Sequence, residues 1–170
     1  MHLDGEHWSS FFDSFEHEAF RLETLSAYSM LGEEQEYADF MATGYLDLPE
    51  DDPWLTKLAH YRASGRKVSR VHVVTPPLSD YLRYEFAAYR YNVAAGEDVR
   101  ILDTTRRRII PPMPSDFWLL DDAKVVEMQY DEHGAQVARI LLESPDLAWY
   151  RRSKESALAL SVPFSEYLSA

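Results

Sequence analysis

The sequence lacks cysteine altogether, which excludes a disulfide framework, a thiolate metal site and a cysteine nucleophile. Its apolar runs are only a few residues long, far short of the ~20 residues that span a membrane. Its six glycines are far apart and form neither a phosphate-binding loop nor a dinucleotide fingerprint. The chain therefore carries none of the strongest signatures of redox, nucleotide-binding or membrane proteins.

Basic residues are also scarce, since 17 lysines and arginines face 29 aspartates and glutamates and the formal net charge is -12. A surface this acidic repels nucleic acid and anionic lipid at long range, so we expect no direct contact with nucleic acid or membrane. The first six residues include Asp4 and Glu6, whereas a signal peptide begins with a basic segment and then an apolar one. We therefore expect a cytoplasmic protein.

Catalytic and metal-binding patterns are missing as well. The six histidines show neither a His-x-x-x-His spacing nor a metal-binding pairing with glutamate. No Gly-x-Ser-x-Gly nucleophile elbow occurs either. We expect no metal, no cofactor and no catalytic residue, which favours a non-catalytic domain.

What the chain does contain is enough apolar material for a core, with 46% apolar and 14% aromatic residues. Its length fits one domain over residues 1–170, with an N-terminal helix and strand extension (1–47) and an α/β core (53–170). In the extension, the alternation around Phe20 and Leu22 predicts a strand with those two side chains facing the core. Further helices are predicted at 33–43 and 53–63, and Asp52 is the expected N-cap of the second.

The most regular stretch predicts a crossover unit. Val68–Val74 and Val99–Leu102 are expected strands, and between them lies a helix that Ser79 caps and Gly96 ends. Two strands joined by a helix of about four turns are normally parallel. A hairpin (125–130 and 136–142) and a helix (145–160) follow. We therefore predict an α/β fold, a mixed sheet with helices packed on it, with α+β as the alternative.

Several segments resemble an uncharacterised actinobacterial domain family of similar length. The resemblance lies in Arg70–Val74, Asp80–Glu85, Asn92, Ala95–Arg100 and Asp116–Asp122 and covers most of the chain. Members of that family are often encoded beside helix-turn-helix regulators. The resemblance implies a regulatory context and a DNA-binding protein as partner, and it implies no biochemical activity.

The order of elements from Trp54 onward is also similar to half of a phospholipase D-like domain. That family needs a His nucleophile and a Lys two residues later, just before an apolar strand that ends in Asp. The corresponding stretch here, Pro112–Trp118, contains neither residue. If the fold is shared, we expect this copy to be inactive as a phosphodiesterase.

One flank of the predicted crossover helix carries polar residues. Leu82, Phe86, Tyr89 and Val93 have the spacing of a core stripe, and Tyr81, Glu85 and Asn92 fall together beside it. Buried polar groups need partners, and Arg70 or Arg100 on the neighbouring strands are the candidates. The flank is therefore either a structural network, in which Glu85 pairs with a strand arginine, or a ligand pocket at the strand ends.

Two other charged groups are weaker candidates. Asp116, Asp121 and Asp122 could bind a cation, but adjacent aspartates in a turn point apart, so we expect solvated turn residues. The arginines at 106–108 could hold a phosphate, and a solvated loop is the simpler expectation. The candidate ligand or partner surface comprises Arg70, Tyr81, Arg83, Glu85, Asn92, Arg100, Asp116, Trp118 and Asp122.

Three functional hypotheses follow from the sequence. The first is a non-catalytic regulatory or protein-interaction domain, because four tryptophans and eleven tyrosines exceed what the core needs and predict exposed aromatic surface. The second is a sensor of a small molecule or phosphate ligand, which would use the arginines and the helix flank. The third is a hydrolase with an acidic site. A phosphate ion bound near the arginines would favour the second hypothesis, and a broad aromatic patch without a pocket would favour the first.

Overall fold

The computed structural model describes residues 1–29 and 32–169. In chain order the elements are α1 (Gly5–Asp13), β1 (Glu18–Glu23), α2 (Glu34–Thr43), α3 (Pro53–Ala63), β2 (Lys67–Val74), α4 (Asp80–Ala95), β3 (Asp98–Asp103), a 3-10 turn (Thr104–Arg106), β4 (Phe117–Leu120), β5 (Lys124–Tyr130), β6 (Gln136–Leu141), α5 (Leu147–Leu160), β7 (Val162–Pro163) and α6 (Phe164–Ser169). None of the described helices is both long and apolar enough to cross a membrane.

The strands form one mixed sheet in the order β6-β5-β4-β1-β2-β3-β7. β1, β2 and β3 run parallel, and the remaining neighbours are antiparallel. The α/β fold, the parallel β2-α4-β3 crossover and the β5-β6 hairpin confirm the prediction from the sequence. The expected division differs, because β1 lies in the middle of the sheet. β1 is thus a central strand of the core and not part of an extension.

Short-range signals determine where the helices begin and end. The Asp52 carboxylate accepts the backbone N–H groups of Trp54 and Leu55 at 3.0 Å, and Pro53 occupies the first turn of α3. At the end of α4, Gly96 adopts a φ of 114°, where a side chain would also meet Arg62 at 2.7 Å. These ends lie where the sequence predicts them.

Helices cover both faces of the sheet. On one face, α5 packs on an apolar cluster that includes Phe20, Leu22 and Val71. On the other face, α1 and α3 form one apolar cluster, and α4 and α6 form another. Arg21 and Glu23, which point to this second face, are only 5% and 4% exposed. The prediction that Phe20 and Leu22 face the core is therefore incomplete, since both faces of β1 are buried.

Two expectations about apolar residues are wrong. Val93, predicted in the core stripe of α4, is 40% exposed, whereas its neighbour Asn92 is buried. The excess of aromatic residues is used in the interior. Among the aromatics of the described chain, Tyr45 and Trp149 are the exposed ones. The aromatic surface predicted from composition is thus limited to these two residues in the part of the chain that the structure describes.

Candidate functional site

A cavity of about 550 Å³ lies between the sheet and the helices of the second face. Strands β1, β2, β4, β5 and β6 form its floor, and helices α1 to α4 form its walls. Residues of the α1–α3 apolar cluster, Phe12, Trp118 and Met128, line part of it. The floor includes three side chains in register across neighbouring strands, namely Arg70, Arg21 and Trp118. The sheet pairing therefore places two arginines and a tryptophan side by side under the cavity.

The first buried network lies on the α4 side and connects two strands with that helix. The Arg70 guanidinium contacts the Glu23 carboxylate and donates from Nε to Glu97 at 2.8 Å. Asn92 donates to the other oxygen of Glu97 at 2.9 Å. Burial alone would raise the pKa of Glu23, but the charges of Arg70, His72 and Arg21 lower it to about 2. This network is an anchor for the fold, because its charged groups are paired with one another.

The second buried network surrounds Asp116. Its carboxylate accepts the Thr24 N–H at 2.9 Å, the Thr24 hydroxyl at 2.6 Å and the Tyr28 hydroxyl. Arg21 Nη2 lies 3.4 Å from the same carboxylate and donates to the Tyr130 hydroxyl at 2.7 Å. Asp116 is 2% exposed, so the expectation of a solvated turn residue is wrong. Thr24 and Tyr28, which follow β1 in the chain, bury this aspartate. No local sequence pattern predicts that contact.

Three N–H donors at the cavity have no acceptor among the described residues. They are Arg21 Nη1, Trp54 Nε1 and Arg139 Nε, and all three residues line the cavity. Leaving a buried donor unsatisfied costs about 1–3 kcal/mol, and native proteins contain few such groups. Burial lowers the pKa of Arg139, while Tyr130 and the negative charge of Asp4 act in the opposite direction. This side of the cavity thus offers unpaired donors on two guanidiniums and one indole.

The opposite side of the cavity, at α2 and α4, is acidic. The Tyr81 hydroxyl donates to Glu85 at 3.1 Å, while burial and the charge of Glu23 raise the pKa of Glu85 to about 7. The Tyr84 hydroxyl donates to Glu36. Burial and the neighbouring Glu36 raise the pKa of Glu33. The expected pairing of Glu85 with a strand arginine is absent among its hydrogen bonds in the described chain, because Arg70 is bonded to other carboxylates.

The structure brings together part of the residue set predicted from the sequence. Arg70, Glu85, Asn92 and Trp118 line the cavity. Two further members of the set, Tyr81 and Asp116, each hydrogen-bond a residue that lines it. The spacing of Tyr81, Glu85 and Asn92 on one helix flank was therefore an informative signal.

The other predicted residues lie elsewhere. Arg100 points to the α5 face and donates from Nε to Ser161 Oγ at 3.0 Å. Arg83 is on the outer side of α4, with its guanidinium 3.8 Å from Asp80. Asp122 accepts from Lys154 at 2.8 Å on the α5 side.

Adjacent Asp121 behaves as expected for a turn, since its carboxylate accepts three backbone N–H groups of residues 16–18 at 2.8–3.0 Å. Asp121 and Asp122 thus bind different parts of the chain, although neither lies in a strand. No group of three or more His, Asp or Glu side chains within residues 1–29 and 32–169 is arranged to hold a metal ion.

Sequence reasoning missed three residues that define the donor side. The alternation in β1 places Arg21 on the side opposite Phe20 and Leu22, and no sequence pattern gives Trp54 or Arg139 a role in a site. The available signal was a charged pair, Arg21 and Glu23, that alternates with apolar residues of the same strand. Such a pair is evidence for a strand with both faces buried only if the neighbouring strands in the sheet are known. The sequence does not give that strand order.

The fold and the cavity define a single-domain mixed α/β protein with an open cleft of polar and apolar side chains between its sheet and one helical layer. Within that class, residues 6–169 match the family model described as a domain of unknown function, DUF6879, and the chain belongs to this family. The expectation of an uncharacterised domain family is confirmed. A comparison with curated proteins finds no match.

Proposed function

We propose that this protein is a non-catalytic small-molecule-binding domain and that the cavity is its ligand site. The observation that carries this proposal is that three of the residues lining one cavity, Arg21, Trp54 and Arg139, each hold a buried N–H donor without an acceptor in the described chain. A volume of about 550 Å³ falls within the range of roughly 300–1,000 Å³ that is typical of ligand pockets. A ligand that supplies acceptors would remove the cost of these unsatisfied groups.

The pairing of the charged side chains supports binding over hydrolysis. An acid or base in catalysis must be able to exchange a proton with the substrate, and a carboxylate that already accepts several donors is a poor candidate. Asp116 accepts from Thr24 and Tyr28 and faces Arg21. Of the acidic set that the sequence offers for a hydrolase, Asp116 is therefore occupied in the architecture of the site.

A second candidate function, docking to a basic protein such as a DNA-binding regulator, is favoured by the net charge of -12. It has less support from the surface, because Tyr45 and Trp149 are the exposed aromatic residues of the described chain. Aromatic anchors usually dominate binding energy at protein interfaces. The two functions are compatible, since occupancy of the cavity could be transmitted to a partner.

The test of ligand binding is a thermal-shift screen of a metabolite library against the wild-type protein and two variants in which an alanine of α4 is replaced by leucine. Ala88 lines the cavity, whereas the adjacent Ala87 lines a separate groove between α2 and α4. Ala88→Leu fills part of the cavity, and Ala87→Leu is the matched control on the same helix.

A ligand present at 100 times its Kd stabilises a protein by about 2.7 kcal/mol, which is roughly 5–10 °C for a chain of this length. We expect this shift in the wild type and in Ala87→Leu, and no shift in Ala88→Leu. A library without any stabilising compound, or hits that stabilise Ala88→Leu equally, would contradict the proposal.

A further inference from the structure

We propose that the ligand is a small organic acid, with one carboxylate held by Arg21, Arg139 and Trp54 and with an apolar, preferably aromatic, body beside the tryptophans of the cavity. This inference rests on the proposed function and adds the chemical class of the ligand. It is carried by the geometry of the donors, by the rings next to them and by the balance of charge around the cavity.

The donors are held in place before any ligand arrives. Arg21 is 5% exposed, and its Nη2 is fixed by Asp116 at 3.4 Å and by the Tyr130 hydroxyl at 2.7 Å. The other terminal nitrogen, Nη1, is buried and free of partners in the described chain. The Arg139 guanidinium lies 5.0 Å from the centre of the Trp8 ring. A carboxylate accepts N–H donors with both oxygens and relieves the repulsion between the two guanidiniums.

Aromatic rings adjoin these donors. The Trp118 ring lies 5.7 Å from the Arg21 guanidinium carbon, and the ring centres of Trp54 and Trp118 are 6.3 Å apart. Phe12 packs edge-on against Trp118 at 4.7 Å. All four residues line the cavity, so an anion at the donors would have its carbon framework beside apolar ring faces and edges. This environment favours an apolar or aromatic body over a sugar or a polyol.

The charge balance favours a single negative charge. Four basic and five acidic side chains line the cavity. Of the basic ones, Arg70 is already paired with Glu23 and Glu97. Arg21 also faces Asp116, so the two available guanidiniums compensate little more than one charge. A phosphate dianion would meet about twice the repulsion from the carboxylates on α2 and α4 that a monocarboxylate meets, and the two guanidiniums compensate only the smaller charge.

The test compares three matched series of probes by isothermal titration calorimetry. The first contains aromatic acids of increasing size, phenylacetate and indole-3-acetate. The second contains the corresponding neutral amides, and the third consists of one compound, phenyl phosphate. We expect the acids to bind and the amides and the phosphate to bind at least 10-fold more weakly, because an amide lacks the charge and a dianion is repelled.

Variants connect the binding to the proposed donors. Trp54→Phe removes one N–H and keeps an aromatic ring, and Arg139→Met removes a guanidinium and keeps an unbranched chain. Each should weaken binding of the acids by roughly 10-fold or more, as expected for loss of a charge-assisted hydrogen bond. Arg100→Met, on the opposite face of the sheet, should leave the affinity unchanged. Arg21→Met is informative only if it folds, so the first two variants decide the outcome.

The two levels of the hypothesis fail separately. Acids that do not bind, amides that bind as well, or phenyl phosphate that binds more tightly would each overturn the organic-acid inference. If the same cavity still binds other compounds and Ala88→Leu blocks them, the proposed function remains. If the library screen yields no cavity ligand at all, both are refuted.

Discussion

Replacing Glu85 with glutamine should stabilise the protein at neutral and alkaline pH. Glu85 is half-buried on α4, accepts one hydrogen bond from Tyr81 and lies near the ionised Glu23. Burial and the charge of Glu23 both disfavour its ionised form and raise its pKa to about 7. Glutamine occupies nearly the same volume, can still accept from the tyrosine, and carries no charge. From the sequence we expect Glu85 to increase stability by pairing with an arginine. From the structure we expect the opposite, that its charge lowers stability.

The magnitude follows from the change in pKa on folding. A rise from 4.5 to about 7 corresponds to about 3 kcal/mol, at 1.36 kcal/mol per unit. Because the carboxylate borders the cavity and is partly accessible, screening reduces this value, and we expect about 1–2 kcal/mol. Between these pKa values the folded state binds more protons than the unfolded state, so stability falls as the pH rises. The benefit of Glu85→Gln is therefore small near pH 4.5 and complete above pH 7.

The assay is thermal melting followed by far-ultraviolet circular dichroism between pH 4.5 and 8.5. At pH 8.5, Glu85→Gln should melt roughly 2–8 °C above the wild type, and near pH 4.5 the two should melt almost together. The control is Glu155→Gln on the exposed side of α5, which should follow the wild type throughout. A variant that melts below the wild type at pH 8.5, or whose difference does not depend on pH, would refute the reasoning.

Three further predictions concern the networks and the surface. Glu97→Ala should lower the free energy of unfolding in urea by about 1–3 kcal/mol, because Asn92 and the Nε of Arg70 lose their buried acceptor while Arg70 keeps Glu23; an unchanged midpoint would contradict this. Arg139→Met should melt no lower than the wild type at pH 7, although it weakens ligand binding; a clear loss of melting temperature would identify Arg139 as structural. With a basic partner, raising salt from about 50 to 200 mM should slow association and change dissociation little in surface plasmon resonance; salt-insensitive association would rule out electrostatic steering.

The sequence predicts the elements well where the determining interactions are local. Asp52 and Ser79 accept N–H groups two or three residues ahead of themselves, and Gly96 ends the helix it follows. The parallel crossover also follows from local lengths, because a strand, a helix of four turns and a strand have one common arrangement. These features depend on residues close together in the chain, so their patterns are visible without a structure.

The position of β1 in the sheet is not visible in the same way. β1 pairs with β2 on one side and with β4, about a hundred residues later, on the other. This non-local pairing makes β1 central, and a central strand between two helical layers buries both of its faces. Arg21 therefore becomes a buried donor, although the alternation of β1 predicts an exposed charge. For this reason only half of the candidate site could be predicted. The α4 residues follow from helical spacing in the sequence, whereas Arg21, Trp54 and Arg139 come to the same cavity only through the tertiary fold.

The unpaired polar groups at the cavity lower the stability of the fold, and their position indicates what the cavity does. Most charged residues on this face of the sheet are paired, as Arg70 is with Glu23 and Glu97, so their burial is compensated. The exceptions, Glu85 on one side and the donors of Arg21 and Arg139 on the other, all border the same cavity. Optimising the fold alone would favour neutral or paired residues at these positions. Since the uncompensated groups are confined to the cavity walls, the stability that they cost is explained most directly by interactions that form when a ligand binds.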